Sequence, residues 1–317
     1  MKEIRMSDIK GIEVGQTENK EGGSGCTVIL CKEGCFAGVD VRGGGPATRE
    51  TDLLNPINMV QKIHAVCLSG GSAFGLDAAG GVMRYLEEQN CGHDMGFVKV
   101  PIVCGASLFD LGVGDAFCRP DSKMGYEACL NIQKEIKEGN VGAGCGASVG
   151  KFMGKEHAMK SGLGTYGIEV NGLQVAAIVA VNACGNVIDA TTQTQLAGIY
   201  LNDDILSTKD ALIQMLEKPL PEGNTTIGCI VTNAKLDKAK CSKVAGITHD
   251  AYARAIQPVH TMSDGDSIFV MATGEVDAQT DVVGILACEC MTNAIHRAVK
   301  LAESAYGLKA WRDVCNQ

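Results

Sequence analysis

The sequence predicts a single domain of the α/β class, and three observations support this. Short β-branched and apolar runs recur along the chain, stretches with the period of an amphipathic helix alternate with them, and glycine-rich segments connect the two kinds. Glycine makes up 40 of the 317 residues, above its usual share of about 7%. This length would also accommodate two average domains. Because no Ser/Pro-rich linker, repeat or low-complexity tract interrupts the pattern, one domain is the simplest organisation.

Six runs have the character of strands, with turn residues at their ends. They cover residues 26–30, 37–41, 64–69, 175–183, 226–232 and 267–273.

Four stretches have helical patterning, and they cover residues 73–89, 124–139, 238–256 and 282–307. Ser72 is expected to cap the first helix, and Gly139 to end the second as a C-cap glycine. The polar stretch 201–224 is predicted to be an exposed connector, with one short helix that begins after Ser207.

Charge and hydropathy restrict the classes of partner. The net charge is −9, from 37 acidic and 28 basic residues, without a Lys/Arg cluster. Binding to nucleic acid or to an anionic membrane therefore has little electrostatic support. No segment approaches the ~20 consecutive apolar residues that span a bilayer, and the first residues lack the apolar stretch of a signal peptide. We therefore expect a cytoplasmic protein, whose 15 cysteines are small buried thiols.

No cofactor or metal is predicted. The cysteines lack the CxxC spacing of metal sites, and there is no HExxH motif. A Walker loop would need Ser or Thr after Gly150-Lys151, where Phe152 stands. The glycine-rich stretch GAGCGASVG, residues 142–150, lacks the last glycine of the dinucleotide fingerprint.

Two local motifs are candidates for chemistry. Ser72 stands in a near match to the GxSxG nucleophile elbow, but Phe74 occupies the second glycine position, which favours a capping role. Asp264 and Asp266 flank a glycine in a tight turn directly before a strand. Such a pair often only solvates a turn, and a catalytic role requires a proton-accepting or cationic partner nearby.

A self-generated amine would provide that partner. If the Thr225 hydroxyl attacked the carbonyl of Asn224, an N-to-O acyl shift followed by hydrolysis would leave Thr225 as a new N-terminus. Its α-amine, with a reference pKa of ~7.7–8.0, would then activate its own hydroxyl. This chemistry needs no histidine, which suits a chain with six histidines and no persuasive Ser/His/Asp order.

From end to end, the chain resembles the self-processing aminopeptidases that include L-aminopeptidase/D-esterases, β-peptidyl aminopeptidases and nylon-oligomer hydrolases. Seven ordered blocks carry the resemblance: RGGGPATRETDLL, LSGGSAFGLDAAGGVMRYLEE, VPIVCGASLFDL, KSGLGT, AIVAVNACGNVID, NTTIGCIVTNA and HTMSDGDSIFVMATGE.

The resemblance implies a four-layer αββα sandwich, like that of N-terminal nucleophile hydrolases but with a different connectivity. It also implies cleavage between Asn224 and Thr225 into an α subunit, 1–224, and a β subunit, 225–317, assembled as a homotetramer of αβ units. Thr226 is the rival first residue, but the distance back from the TNA sequence favours Thr225.

The same resemblance implies the other site residues. Asn182 supplies an oxyanion donor, Lys160 lies close to the nucleophile, and Asp264 and Asp266 orient or stabilise the nucleophile and its amine. Some relatives have a catalytic tyrosine where this chain has Phe109.

The expected function is hydrolysis of amide bonds, with release of N-terminal residues from short peptides, amides or esters. One alternative is an acyltransferase that uses the same threonine, because an amine can capture an ester intermediate in place of water. Another is a ligand-binding relative that never cleaves itself.

Overall fold

The computed structural model describes residues 1–215 and 223–315. Its α-helices are α1 (Ala78–Glu88), α2 (Ser122–Leu130), α3 (Thr208–Met215), α4 (Lys238–Ala255), α5 (Thr280–Lys300) and α6 (Trp311–Val314). Its strands are β1 (Lys2–Ile4), β2 (Glu13–Asn19), β3 (Ser24–Val41), β4 (Thr48–Arg49), β5 (Lys62–Ser69), β6 (His93–Asp94), β7 (Lys99–Val100), β8 (Val103–Ser107), β9 (Ser148–Val149), β10 (Met159–Lys160), β11 (Leu163–Val170), β12 (Leu173–Asn182), β13 (Asn186–Ile188), β14 (Gln195–Ala197), β15 (Ile199–Leu201), β16 (Asp204–Leu206), β17 (Thr225–Ala234), β18 (Ile256–Gln257) and β19 (Ser267–Val276).

One long strand, β3, links the two halves of the main sheet. The strand order is β1-β11-β12-β17-β19-β3-β5-β8-β4, and β2 also pairs with β3. The first half of β3 pairs with β2 and β5, whereas residues 36–41 pair with β19. A register shift against β5 separates the two halves of the strand, so β3 passes from one sheet layer to the other.

Side chains alternate between two cores along the central strands, as expected for strands covered on both faces. On β17, Ile230 and Ala234 belong to the core beneath α4 and α5, while Ile227, Cys229 and Val231 face the other way. The second core lies between the two sheet layers, where it meets side chains from β3, β5 and β8.

A third core, under α1 and α2, covers the outer face of the second layer. The order is therefore helices, sheet, sheet, helices, which confirms the predicted αββα sandwich.

The six predicted strands all exist, although 26–30 and 37–41 are parts of one strand. The short helix after Ser207 and the helix at 238–256 are also present. Residues 216–222 of the predicted connector lie outside the described residues. Among the described residues, α5 is long and apolar enough to cross a membrane, but 56% of its apolar window is buried, and the helix packs on β11, β12 and α4.

Three helix predictions need correction. The helix predicted at 124–139 ends at Leu130, because Gln133 then donates its backbone N–H to Val14 of β2 (3.0 Å). Gly139 is consequently no C-cap, and it pairs with Leu163 instead. The helix predicted to end at 307 stops at Lys300.

The first predicted helix begins as a 3-10 segment, Ser72–Asp77, before α1. Gly71, with φ 82°, occupies the N-cap position, and no side chain caps the segment. Ser72 is therefore not the cap, and its backbone N–H donates to the carbonyl of Leu108 (2.8 Å).

Candidate active site

Thr225 is the first residue of β17 and lies between two neighbouring strands. Asn182, the last residue of β12, is its partner on one edge, and the turn before β19 lies on the other. Thr225 is only 3% exposed, and its Oγ1 donates a hydrogen bond to the carbonyl oxygen of Asn224, in the peptide bond just before it. The hydroxyl is therefore in contact with the carbonyl group that self-cleavage would require it to attack.

The turn at residues 263–265 holds that peptide bond from the other side. Asn224 donates its backbone N–H to Ser263 O (3.1 Å), and its carbonyl oxygen accepts the N–H of Gly265 (3.0 Å). A Cβ at Gly265 would come within 2.9 Å of Thr225 Oγ1 and 2.8 Å of Gly45 O. Glycine is therefore needed here for the backbone to approach both the carbonyl and the hydroxyl.

Asp266 binds the backbone immediately after the predicted nucleophile. Its Oδ1 accepts the N–H of Thr226 (2.7 Å), and its Oδ2 accepts both the backbone N–H (3.0 Å) and Nδ1 (2.8 Å) of His260. Burial raises the pKa of the Asp266 carboxyl, while the hydrogen bond from His260 acts in the opposite direction. His260, which sequence analysis did not single out, has a φ of 59° in the left-handed region.

Asp264 is bound within its own turn. Its Oδ2 accepts the backbone N–H (2.9 Å) and the hydroxyl (2.6 Å) of Thr261. Its Oδ1 is buried and has no hydrogen-bond partner in the part of the chain that the structure describes. Asp264 therefore retains an acceptor atom for a donor that arrives with cleavage or with substrate.

Asn182 is held at both ends of its side-chain amide. Its Oδ1 accepts the backbone N–H of Ser148 (3.1 Å) and Nζ of Lys151 (2.9 Å), and its Nδ2 donates to the carbonyl of Phe109 (2.8 Å). An asparagine amide carries two N–H groups, and within residues 1–215 and 223–315 the second has no acceptor, so it remains for another group.

Lys151 was missed by sequence analysis, in which it entered only as part of a failed Walker loop. It is 9% exposed and donates to both the carbonyl oxygen and Oδ1 of Asn182, each at 2.9 Å. Burial lowers the pKa of its ammonium to about 8, although nearby Cys184 and Asp264 act to raise it.

Lys160 is fully buried, and its Nζ donates to the carbonyls of Gly144 (3.3 Å), Ala147 (2.9 Å) and Ser161. Burial lowers its pKa to about 7. Within the described residues it makes no hydrogen bond to Thr225 or Asn182. The carbonyl of Ala147 belongs to the same peptide unit as the N–H of Ser148, which donates to Asn182.

A cavity of about 510 Å³ adjoins these residues. Ser148, Lys151, Phe109 and Gly223 contribute to its wall, so it reaches both the residues around Asn182 and the segment before the predicted cleavage bond. A Cβ at Gly223 would come within 2.5 Å of the Phe109 ring, which packs against this glycine. Tyr306 also lines the cavity, and its hydroxyl donates to the carbonyl of Lys20.

The four-layer fold brings a buried hydroxyl, two carboxylates and an oriented amide together at the start of β17, a set of groups that fits the hydrolysis of amides. The sequence matches peptidase family S58 over residues 5–311. The chain therefore belongs to this family and is an enzyme of the aminopeptidase and amidohydrolase class.

Related sequences and structures agree with this assignment. An uncharacterised aminopeptidase of Mycobacterium leprae is 40% identical, over 96% of this chain and 92% of its own length. A 6-aminohexanoate-oligomer endohydrolase of Paenarthrobacter ureafaciens is 29% identical, over 94% and 87%. The L-aminopeptidase D-Ala-esterase/amidase of Ochrobactrum anthropi, described as a variant of the Ntn hydrolase fold, superposes with a TM-score of 0.70 at 18% identity, over 96% and 89%.

Proposed function

We propose that the chain cleaves itself between Asn224 and Thr225, and that the freed Thr225 hydrolyses the amide or ester bond next to the N-terminal residue of short peptides, amides or esters. The observation that carries the proposal is the contact between Thr225 Oγ1 and the Asn224 carbonyl, whose oxygen also accepts the N–H of Gly265. A donor at this oxygen would stabilise the negative charge that develops when the carbonyl carbon is attacked.

Self-cleavage would proceed in two steps. Thr225 Oγ bonds to the carbonyl carbon of Asn224, the C–N bond breaks, and the hydroxyl proton passes to the Thr225 nitrogen, which leaves an ester. Water then hydrolyses the ester, giving a carboxylate on Asn224 and restoring the Thr225 hydroxyl beside its free amine. The cut defines subunits 1–224 and 225–317.

In substrate hydrolysis, the Thr225 amine takes the proton of its own hydroxyl as Oγ attacks the substrate carbonyl, and it passes this proton to the leaving amine or alcohol when the C–N or C–O bond of the substrate breaks. Asn182 donates the remaining N–H of its amide to the oxyanion. Asp264 and Asp266 hold the new amine, and Asp264 Oδ1 is the acceptor with room for it. Lys160 acts on Asn182 indirectly, because it binds the carbonyl of the peptide unit between Ala147 and Ser148, whose N–H binds Asn182. Water then releases the acyl group and restores Thr225.

Relatives support amides as substrates, since those compared are named as aminopeptidases and as a hydrolase of 6-aminohexanoate oligomers. We further propose that the enzyme works in the cytoplasm as a homotetramer of αβ units. Large exposed apolar side chains, including Ile57 and Phe97, support assembly. The mass of the native particle in solution tests the tetramer.

Thr225→Ala is the decisive variant. We expect it to remain one full-length band on a denaturing gel and to release no amine from an aminoacyl amide, because both reactions lose their nucleophile. Thr226→Ala is the matched control and should still yield a fragment that begins with Thr225 on N-terminal sequencing. Cleavage or hydrolysis by purified Thr225→Ala would refute the assignment.

A further inference from the structure

We propose that Lys151 is a positioning residue that fixes the side-chain amide of Asn182 for the hydrolytic reaction. This inference rests on the proposed function, in which Asn182 holds the oxyanion. Lys151 is buried, lines the cavity and places its Nζ at 2.9 Å from two oxygens of the same residue, Asn182.

The partners of Asn182 allow only one orientation of its amide. Ser148 N–H and the Lys151 ammonium are donors without acceptor capacity, so the atom that faces them must be Oδ1. The carbonyl of Phe109 is an acceptor, so the atom that faces it must be Nδ2. Lys151 therefore opposes rotation of the amide by 180°, which would place an N–H against the ammonium and withdraw the donor from the site.

The two contacts from Lys151 also join the side chain of Asn182 to its own backbone. Nζ bridges the carbonyl oxygen and Oδ1, so rotation of the side chain away from the strand end would break a charge-assisted hydrogen bond. Asn182 is the β-sheet partner of Thr225. A side-chain amide that is fixed relative to the Asn182 backbone therefore also keeps its position relative to the nucleophile.

If Lys151 has this role, its loss should affect substrate hydrolysis and self-cleavage differently. In the uncleaved chain, the carbonyl oxygen of Asn224 is held by Gly265 N–H and Thr225 Oγ1, and among the described residues Asn182 makes no hydrogen bond to it. Loss of Lys151 should therefore slow substrate hydrolysis and spare self-cleavage. A lysine that merely supported the fold would affect both reactions together.

The chain offers a matched control in Lys238. This lysine is 2% exposed, and its Nζ donates to the carbonyls of Leu53, Asn58 and Val60, none of which belongs to the proposed site. Lys238→Met thus removes a buried ammonium without touching Asn182. It reports the general cost of such a change to folding.

The experiment compares Lys151→Met, Lys238→Met, Asn182→Ala and the double variant Lys151→Met/Asn182→Ala. For each we would measure the rate at which the 225–317 fragment appears, kcat and KM on an aminoacyl amide, and Tm. We expect Lys151→Met to self-cleave at the wild-type rate and to lose about tenfold in kcat, with KM little changed. The loss is below the ~10²–10³ of a missing oxyanion donor, because Ser148 still holds Oδ1. The double variant should be no slower than Asn182→Ala alone.

Three results would overturn the inference. One is an equal loss in self-cleavage and hydrolysis, as a general folding defect would give. Another is an unchanged kcat in Lys151→Met while Asn182→Ala is impaired. The third is a double variant in which the two losses multiply. An unimpaired Asn182→Ala would instead refute the oxyanion assignment in the proposed function, and the inference with it.

Discussion

The two edges of β17 at Thr225 are built differently. On the β19 edge, the turn at 260–266 binds backbone: Gly265 holds the Asn224 carbonyl, and Asp266 holds the N–H of Thr226. On the β12 edge, a side chain is held instead, since Ser148, Lys151 and Phe109 all bind the amide of Asn182. We therefore expect self-cleavage to depend on the β19 edge alone, whereas substrate hydrolysis depends on the β12 edge as well.

The largest loss of activity from a change on the β12 edge is expected for Asn182→Ala. The variant removes the proposed oxyanion donor, so kcat for an aminoacyl amide should fall by ~10²–10³. Self-cleavage should continue, because Gly265 still binds the carbonyl of Asn224. The expected difference between the two edges is contradicted if the 225–317 fragment no longer forms in a variant that folds with a cooperative thermal transition.

The sequence predicted those parts of the candidate site that depend on local order along the chain. Thr225, Asp264 and Asp266 stand at strand starts or in a turn, and Asn182 stands at a strand end, so the pattern alone placed them at the edges of elements. The resemblance added their proposed roles. The layer order likewise came from the resemblance, because strand and helix patterns do not specify which strands are neighbours.

Residues whose position depends on long-range contacts were missed or predicted differently. Lys151 meets Asn182 only because β9 lies beside the end of β12, which no local pattern reveals. The sequence pattern predicted a helix through 131–139, but the chain leaves the helix there because it pairs with β2. In each case tertiary contacts, absent from a single sequence, decided the outcome.

Gly265→Ala tests the β19 edge with a smaller change. The added methyl group would come within 2.9 Å of Thr225 Oγ1 and 2.8 Å of Gly45 O, so the turn must move away from the Asn224 carbonyl. We expect the 225–317 fragment to form about 10 to 100 times more slowly, since the carbonyl loses the alignment of its donor. Time courses on denaturing gels measure this rate.

The matched control is Gly274→Ala in β19, where an added Cβ meets nothing within 4 Å, although its φ of 87° strains any side chain. Gly265 has no positive φ, so Gly265→Ala adds crowding without this strain, and Gly274→Ala reports how far backbone strain alone slows cleavage. Equal cleavage rates in the two variants would argue that the contact between Gly265 and the carbonyl is incidental.

The smallest predicted effect concerns His260, which binds Asp266 on the same edge. Its hydrogen bond lowers the pKa of the Asp266 carboxyl against the opposing effect of burial, so His260→Ala should raise that pKa. Asp266 then becomes protonated at a higher pH and loses acceptor capacity. The acid limb of both reactions should therefore move to higher pH, because the charged form of Asp266 loses a hydrogen bond that stabilises it.

The groups around His260 do not account for the shift of the acid limb, which we therefore assign to Asp266. The His249 ring lies 4.7 Å from His260, but burial lowers the pKa of His249 to about 4, so it stays neutral above that range. Tyr252 stacks on His260, and Asp264 lies beside Asp266. The backbone N–H of Arg42 binds the carbonyl of Asp266. The His260→Ala substitution changes none of these three groups. His260→Asn, which tolerates the left-handed φ and keeps a side-chain donor, should show a smaller upward shift than His260→Ala. Identical pH profiles in wild type and His260→Ala would mean that the imidazole does not control the charge of Asp266.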